Sequence, residues 1–317
     1  MNSIELAKVF QKELDSVLIE ESTTGWMDAY AKKFIQYEGG DTVMIADLEM
    51  NGLADYKRTL GFQKGNLTLK FKPYKMTQDR GRSFMIDSMD VDESNFVASA
   101  TTVLGEFQRT HVVPEIDSYR YSKIAKEAMA ENRATYGYTP TKETIFEKIT
   151  EDITQIQEQV GMATDLVITM PISVANTFYN SDKVKNLLNI TENKANPADS
   201  SGHMQLNTVI KTLNGIPIIT PPSSRMKTEY KFFSGDPSGT EAEKGGFEAT
   251  STAKNINWII AARQSILAVN KCDKPRIFQP NENLYADAWK IDYRRYHDLW
   301  ILKNRVSGIL VNIRESK

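Results

Sequence analysis

Cysteine is almost missing from this chain. One residue, Cys272, among 317 rules out an intrachain disulfide and makes a reducing, cytoplasmic setting the default expectation. Histidine is nearly as scarce: His111, His203 and His297 lie far apart and none falls in a ligand spacing, which argues against structural zinc. The glycine fingerprints that cradle phosphates or dinucleotides are missing, as is the nucleophile elbow. Gly235-Asp236-Pro237-Ser238-Gly239 lacks both a following helix pattern and an adjacent Lys, so it reads as a turn. A Ser-His-Asp triad is recognised by geometry rather than by order, and no motif here supports one. No run approaches the roughly 20 apolar residues of a membrane-spanning helix. The opening MNSIELAKVFQKELDS is charged and amphipathic, unlike a secretory signal. Charge of one sign is lacking too: 39 basic against 41 acidic residues give a net charge of -2, not the strongly basic balance of a nucleic-acid binder.

What remains is an ordinary apolar content in a chain long enough for one large or two ordinary domains. Ile4, Ala7, Phe10, Leu14, Val17 and Leu18 recur at helical spacing, and Ser22-Thr23-Thr24-Gly25 ends that helix. Thr42 to Ala46 reads as a short strand. From Asp47 to Phe84, the turn signals Asn51-Gly52, Gly61, Gly65-Asn66 and Gly81 surround an alternating strand, Leu67, Leu69 and Phe71 against Thr68, Lys70 and Lys72. These features predict a long twisted hairpin projecting from the body. Such a ribbon is marginal alone in water and needs a surface to lie on.

Downstream, Phe96, Ala100, Val103, Leu104 and Phe107 form one helical stripe; Tyr121, Ile124, Ala125, Ala128 and Met129 form another, with Pro114 opening the second helix. Glu115 and Asp117 then sit near its positive N-terminal end. A third helix runs from Thr139-Pro140 along Ile145, Ile149, Ile153, Ile156 and Val160 to Gly161. Strand Asp165 to Met170, a short helix after Pro171 and strand Gly215 to Ile219 suggest an α/β unit. Residues 221 to 255 read as a surface excursion and Ile256 to Ala262 as a strand. Gln264 to Asn270 reads as helical, and Trp289 to Leu302 and Val306 to Ile313 as closing strands.

The stretch Asp79 to Ala125 carries the most distinctive charges. Arg80 and Arg82 precede the acidic group Asp87, Asp90, Asp92 and Glu93, and a second basic pair, Arg294 and Arg295, lies in an aromatic-rich strand with Trp289, Tyr293, Tyr296 and Trp300. The carboxylates admit a reading as an acid/base or divalent-cation cluster, but helix capping and pairing with arginine require no further assumption. Arginine beside aromatics suits an interface between copies of one chain.

With these residues in view, ADLEMNGLADYKRTLGFQKGNLTLKFKPYKMTQDRGRSFMIDSMDVDE, EFQRTHVVPEIDSYRYSKIA, DLVITMPISVANTF, LNGIPIITPP and NINWIIAARQSILAV together resemble the major capsid proteins of tailed bacteriophages, the family with the HK97-type shell fold. The resemblance covers nearly the whole chain and rests on the order of parts rather than on a catalytic motif. It implies an α+β fold with residues 1–46 as N-arm and leading strand and 47–84 as the extended E-loop. Residues 85–132 and 286–304 would form a peripheral domain with a long spine helix, and 133–285 with 305–317 an axial domain. The implied role is structural and not enzymatic, without cofactor or metal: an icosahedral shell of pentamers and hexamers in the virion, assembled in the host bacterial cytoplasm. Its expected partners are copies of itself, a separate scaffold protein and a portal. Double-stranded DNA would be enclosed without sequence-specific binding, and no membrane is involved. Arg80, Arg82, Asp87, Asp90, Asp92, Glu93, Arg294 and Arg295 are the expected contacts between subunits. An encapsulin-like cargo shell is the near alternative; an α/β hydrolase or nucleotide-binding enzyme is the distant one.

Overall fold

The computed structural model describes residues 22–28, 35–37, 41–59, 62, 64–87, 104–162, 164–184, 212–235, 245–283 and 285–317. The helix read over 3–20, Asp90, Asp92, Glu93, His203 and most of the first stripe after Glu93 lie outside them.

Three strands open the described chain: β1 (Ile35–Tyr37), β2 (Thr42–Met50) and β3 (Leu67–Lys75) form an antiparallel sheet in that order. β2 and β3 are the hairpin, in register from Thr42 opposite Lys75 to Met50 opposite Leu67, with residues 51–66 closing its far end. The ribbon therefore starts earlier than Asp47. The segment expected to be its return, β4 (Gln78–Asp87), joins a different sheet after two intervening residues.

Residues 104–112 lead without a break into α1 (Val113–Ala130). The sequence pattern predicts two helices meeting at Val113-Pro114. The structure makes one helical path instead, by widening residues Gln108–Val112 into a π-turn in which Val113 N–H donates to the Gln108 carbonyl, five residues back. Proline has no N–H to give and its ring crowds the carbonyl four residues earlier. A widened turn directly ahead of it removes that conflict.

After β5 (Ala134–Thr135) come α2 (Ile145–Val160), β6 (Leu166–Thr169) and α3 (Ile172–Tyr179). Gly161 ends α2 with φ of 88°, as a C-terminal glycine should. β7 (Thr212–Leu213) and β8 (Ile216–Ile219) are joined by Asn214-Gly215, both at positive φ, the geometry of a tight primed turn. Then follow β9 (Tyr230–Phe232), β10 (Phe247–Ala249), β11 (Ile256–Ala262), β12 (Ile266–Phe278), β13 (Ala288–Ile301) and β14 (Ile309–Ile313). Two expectations change here. Gln264 to Asn270 is mostly strand rather than helix, and the 221–255 excursion buries Met226, Tyr230 and Phe233.

A six-stranded mixed sheet, β5-β14-β11-β6-β8-β7, is covered on both faces. Trp258, Ile260, Ala262 and Leu310 pack with Ile145, Ile149, Ile153 and Ile156 of α2 and Phe178 of α3. Ile259, Ala261, Ile309 and Val311 point the other way, onto Tyr121, Ile124, Ala125 and Ala128 of α1. Burial on two sides is why β11 reads as an apolar run interrupted only by Asn257. The long antiparallel sheet β12-β13-β4 forms a second layer; one part packs the hairpin base (Val43, Ile45, Met76 on Leu267, Val269, Trp300), the other packs Leu104 and Phe107 on Phe84, Ile291 and Tyr293.

Gly81, in β4 opposite Arg294, is required by close approach: a Cβ there would lie 2.6 Å from the Tyr293 carbonyl oxygen. Gly81→Ala is expected to lower stability by about 1–3 kcal/mol, read as a lower urea midpoint with unchanged slope.

Candidate assembly surface

Among the described residues, apolar side chains along the hairpin lie exposed. Met50, Leu67, Leu69 and Phe71 are exposed along its strands. At its far end Leu53 is fully exposed and Phe62 is 89% exposed, its ring 5.0 Å from that of Tyr56. Exposed Lys57, Arg58, Lys64, Lys70 and Lys72 alternate with them along the ribbon. An apolar ribbon edged with positive charge is an adhesive surface.

Its base is set into the body by the N-terminal half of α1, where residues 116–122 are all buried. A helix buried around its whole circumference must satisfy its polar side chains internally. Asp117, fully buried, accepts hydrogen bonds from Ser22 Oγ (3.3 Å), Thr23 N–H (3.2 Å), Thr23 Oγ1 (2.7 Å) and Thr24 Oγ1 (2.6 Å), and pairs with Arg225 at 3.1 Å. Arg120 donates to the Thr24 carbonyl at 3.0 Å and to both carboxylate oxygens of Asp28 at 3.0 and 2.6 Å. So Ser22-Thr23-Thr24 is a segment gripped by the helix rather than merely a helix stop. Asp117 does not serve a helix N-terminus, because the helical path begins upstream of it.

Asp298 of β13 is the second buried carboxylate. Its Oδ2 accepts from Thr77 N–H (2.9 Å) and Thr77 Oγ1 (3.0 Å); its Oδ1 accepts from Tyr119 OH (2.6 Å), Lys123 Nζ (2.8 Å) and Leu299 N–H (2.7 Å). One carboxylate thus joins the hairpin corner to α1.

The residues singled out from the sequence fall differently. Arg80 pairs with Glu115 of α1, donates to the Gly246 carbonyl at 3.1 Å and lies over the Phe232 ring at 5.8 Å, all within the chain. Arg82 sits against Gly235 and Gly245. The two arginines therefore brace the stem between β9 and β10. Arg294 binds Asp79 with Nε at 2.8 Å, and this hydrogen bond holds the Asp79 carboxyl below its ordinary range despite some desolvation. Arg294 is mostly exposed while Arg295, in register with Arg80, is buried. Asp87 ends β4 opposite Ala288. Asp117, Arg120, Thr77 and Asp298 were not singled out, since each is an ordinary polar residue whose partner lies about a hundred or more positions away.

His297, next to Asp298, is buried with its ring 5.5 Å from Tyr119 at 87°. Burial first, and then the charges of Arg295, Arg120, Arg80 and Lys123, push its pKa well below the ordinary 6.5. Among the described residues no three His, Cys, Asp or Glu side chains cluster closely enough to hold a metal ion, and no helix is long and apolar enough to cross a membrane.

No protein-family model and no curated protein sequence matches the chain. Solved structures do. A structure from Mycobacterium phage Che8 superposes with a TM-score of 0.58 at 12% identity, covering 92% of this chain and 90% of that one. The capsid structure of cyanophage P-SCSP1u gives 0.57 at 11% identity over 89% and 86%, and the mature capsid of bacteriophage PhiM1 gives 0.55 at 13% over 87% and 82%. The α+β fold expected from the resemblance is the one the chain has, shared over most of its length with the Che8 phage structure and with the two capsid structures.

Arg80→Glu sets two carboxylates together beneath Phe232, and is expected to cost the isolated subunit roughly 2 kcal/mol in denaturant unfolding. His297 gives a pH dependence. The unfolded chain takes up a proton near pH 6.5 that the folded chain refuses, so stability is constant above that pH and falls as pH drops through it. The urea midpoint should be lower at pH 5.5 than at pH 7.5, and His297→Phe, which keeps the ring contact with Tyr119, should flatten that difference.

Proposed function

We propose that the chain is the structural subunit of a closed phage capsid, built from copies of itself. The observation that carries this reading is the hairpin: an apolar ribbon, exposed among the described residues, on a fold shared with capsid structures. A two-stranded ribbon is marginal in water. Covering half-exposed Met50, Leu67, Leu69 and Phe71 on a neighbour contributes on the order of 5 kcal/mol before association costs, enough to favour a partner without making isolated pairs permanent. Repetition around rings then supplies the cooperativity of a closed shell.

On this reading β2, β3 and the residues between them are the extended loop, α1 is the spine, and the six-stranded sheet with α2 and α3 is the axial body. Of the charged residues expected at subunit contacts, Arg294, paired with Asp79, is exposed. Arg80 acts first within the subunit. Asp87, Asp90, Asp92 and Glu93 follow the strand that leaves this region, and Arg82 and Arg295 complete the set. The near-neutral net charge suits a container that encloses double-stranded DNA and later releases it, since a strongly basic lining would retain the genome. A scaffold protein and a portal complete the proposed set of partners; assembly takes place in the host cytoplasm, and the subunit itself carries out no catalysis.

Negative-stain electron microscopy of the purified chain, alone and with a candidate scaffold protein, should show closed shells. Leu69→Asp with Phe71→Asp should abolish them while leaving the far-UV circular dichroism unchanged. Small discrete oligomers of the unaltered chain under every condition would overturn the reading.

A further inference from the structure

Between the end of β3 at Lys75 and the start of β4 at Gln78 the chain passes from one sheet to another in two residues. This corner sets the direction in which the hairpin leaves the body. Met76 is buried; its N–H donates to the Asp41 carbonyl at 2.8 Å and its carbonyl accepts from Tyr296 OH at 3.3 Å. Thr77 spends both its N–H and its hydroxyl on the same oxygen of Asp298. The other oxygen of that carboxylate is held by Tyr119 and Lys123, one turn apart on α1. Thr77 Oγ1 also lies 3.3 Å from Tyr119 OH, which closes the group into a ring.

We propose that Thr77 is a positioning residue for the hairpin: through Asp298 it fixes the angle of the β2–β3 ribbon relative to α1. The apolar packing of Val43, Ile45 and Met76 on Leu267, Val269 and Trp300 holds the base against the sheet but is non-directional. Hydrogen bonds from one residue to a buried charge, itself braced on a helix, are directional and about twice as strong as neutral ones. A ribbon that reaches a neighbour with its far end magnifies any error of angle at its corner, so the orienting contact belongs at the corner. The consequence for shells rests on the function proposed above; the positioning role does not.

Hydrogen exchange on the full-length chain tests it. Asp298→Ala leaves five donors without their acceptor and threatens the fold, so Thr77→Val is the informative change: it keeps the shape, the apolar packing and the other donors to Asp298, and deletes the hydroxyl. Amides of residues 42–50 and 67–75 are expected to exchange roughly tenfold faster in Thr77→Val, with recovery in Thr77→Ser, while those of β11 and β14 keep the unaltered chain's rates. Hairpin rates that do not change would show that apolar packing alone orients the ribbon. A rise of equal size in β11 and β14 would show an ordinary stability role, and either result overturns the proposal. Electron microscopy of the same variant adds an independent reading. Loosened hairpins with irregular or open shells connect the joint to assembly, whereas loosened hairpins with normal shells keep the joint but detach it from assembly, leaving the shell function intact.

Discussion

Two buried carboxylates hold the parts of this subunit in their mutual arrangement. Asp117 and Asp298 are both withdrawn from water, and each is surrounded by donors from segments distant in sequence. A buried carboxylate with a missing donor is costly, so each one demands that all of its partners arrive together. Asp117 gathers the segment beginning at Ser22 and the turn at Arg225; Asp298 gathers the hairpin corner and the middle of α1. The apolar cores supply most of the free energy and tolerate small shifts. The carboxylates specify which shift is correct.

The two layers of the molecule divide the work accordingly. The six-stranded sheet is closed by helices on both faces and has no reason to move. The β12-β13-β4 sheet carries the elements that leave the body, with the hairpin at one part and residues 104–112 at the other. α1 touches both layers, which explains why it has so little polar surface over residues 116–122. The hairpin is thus anchored at its base by contacts inside the chain, while its far end lies exposed.

Much of this was legible in the residues. The alternation Leu67, Leu69, Phe71 marks a ribbon, the isoleucines of α2 mark one face, and INWIIAA marks a strand buried twice. Where legibility failed, a local cause is visible. β12 carries a bulge between Asn270 and Cys272 that breaks its alternation, and Pro275 is tolerated because β12 is an edge strand, so the run imitates a helix followed by a loop. Pattern reasoning sends Arg80 to a contact between subunits and Asp117 to a helix N-terminus, because it sees only neighbours in sequence. Arg80 and Asp117 satisfy their charge within the subunit, through Glu115 in one case and through Arg225 and the Ser22–Thr24 hydroxyls in the other, and no spacing rule connects those positions. The overall fold was accessible through the order of parts; the joints were not.

The π-turn at Gln108–Val112 has a geometric outcome of its own. One additional residue in a helical turn rotates everything beyond it by about 100° around the axis. Leu104 and Phe107 therefore point at β4 and β13, while Tyr121, Ile124 and Ala128 point at β11 and β14, although all belong to one rod. The helix works as a phase shifter. It presents two apolar stripes, one on each side of the widened turn, and Pro114 follows directly on that change of phase.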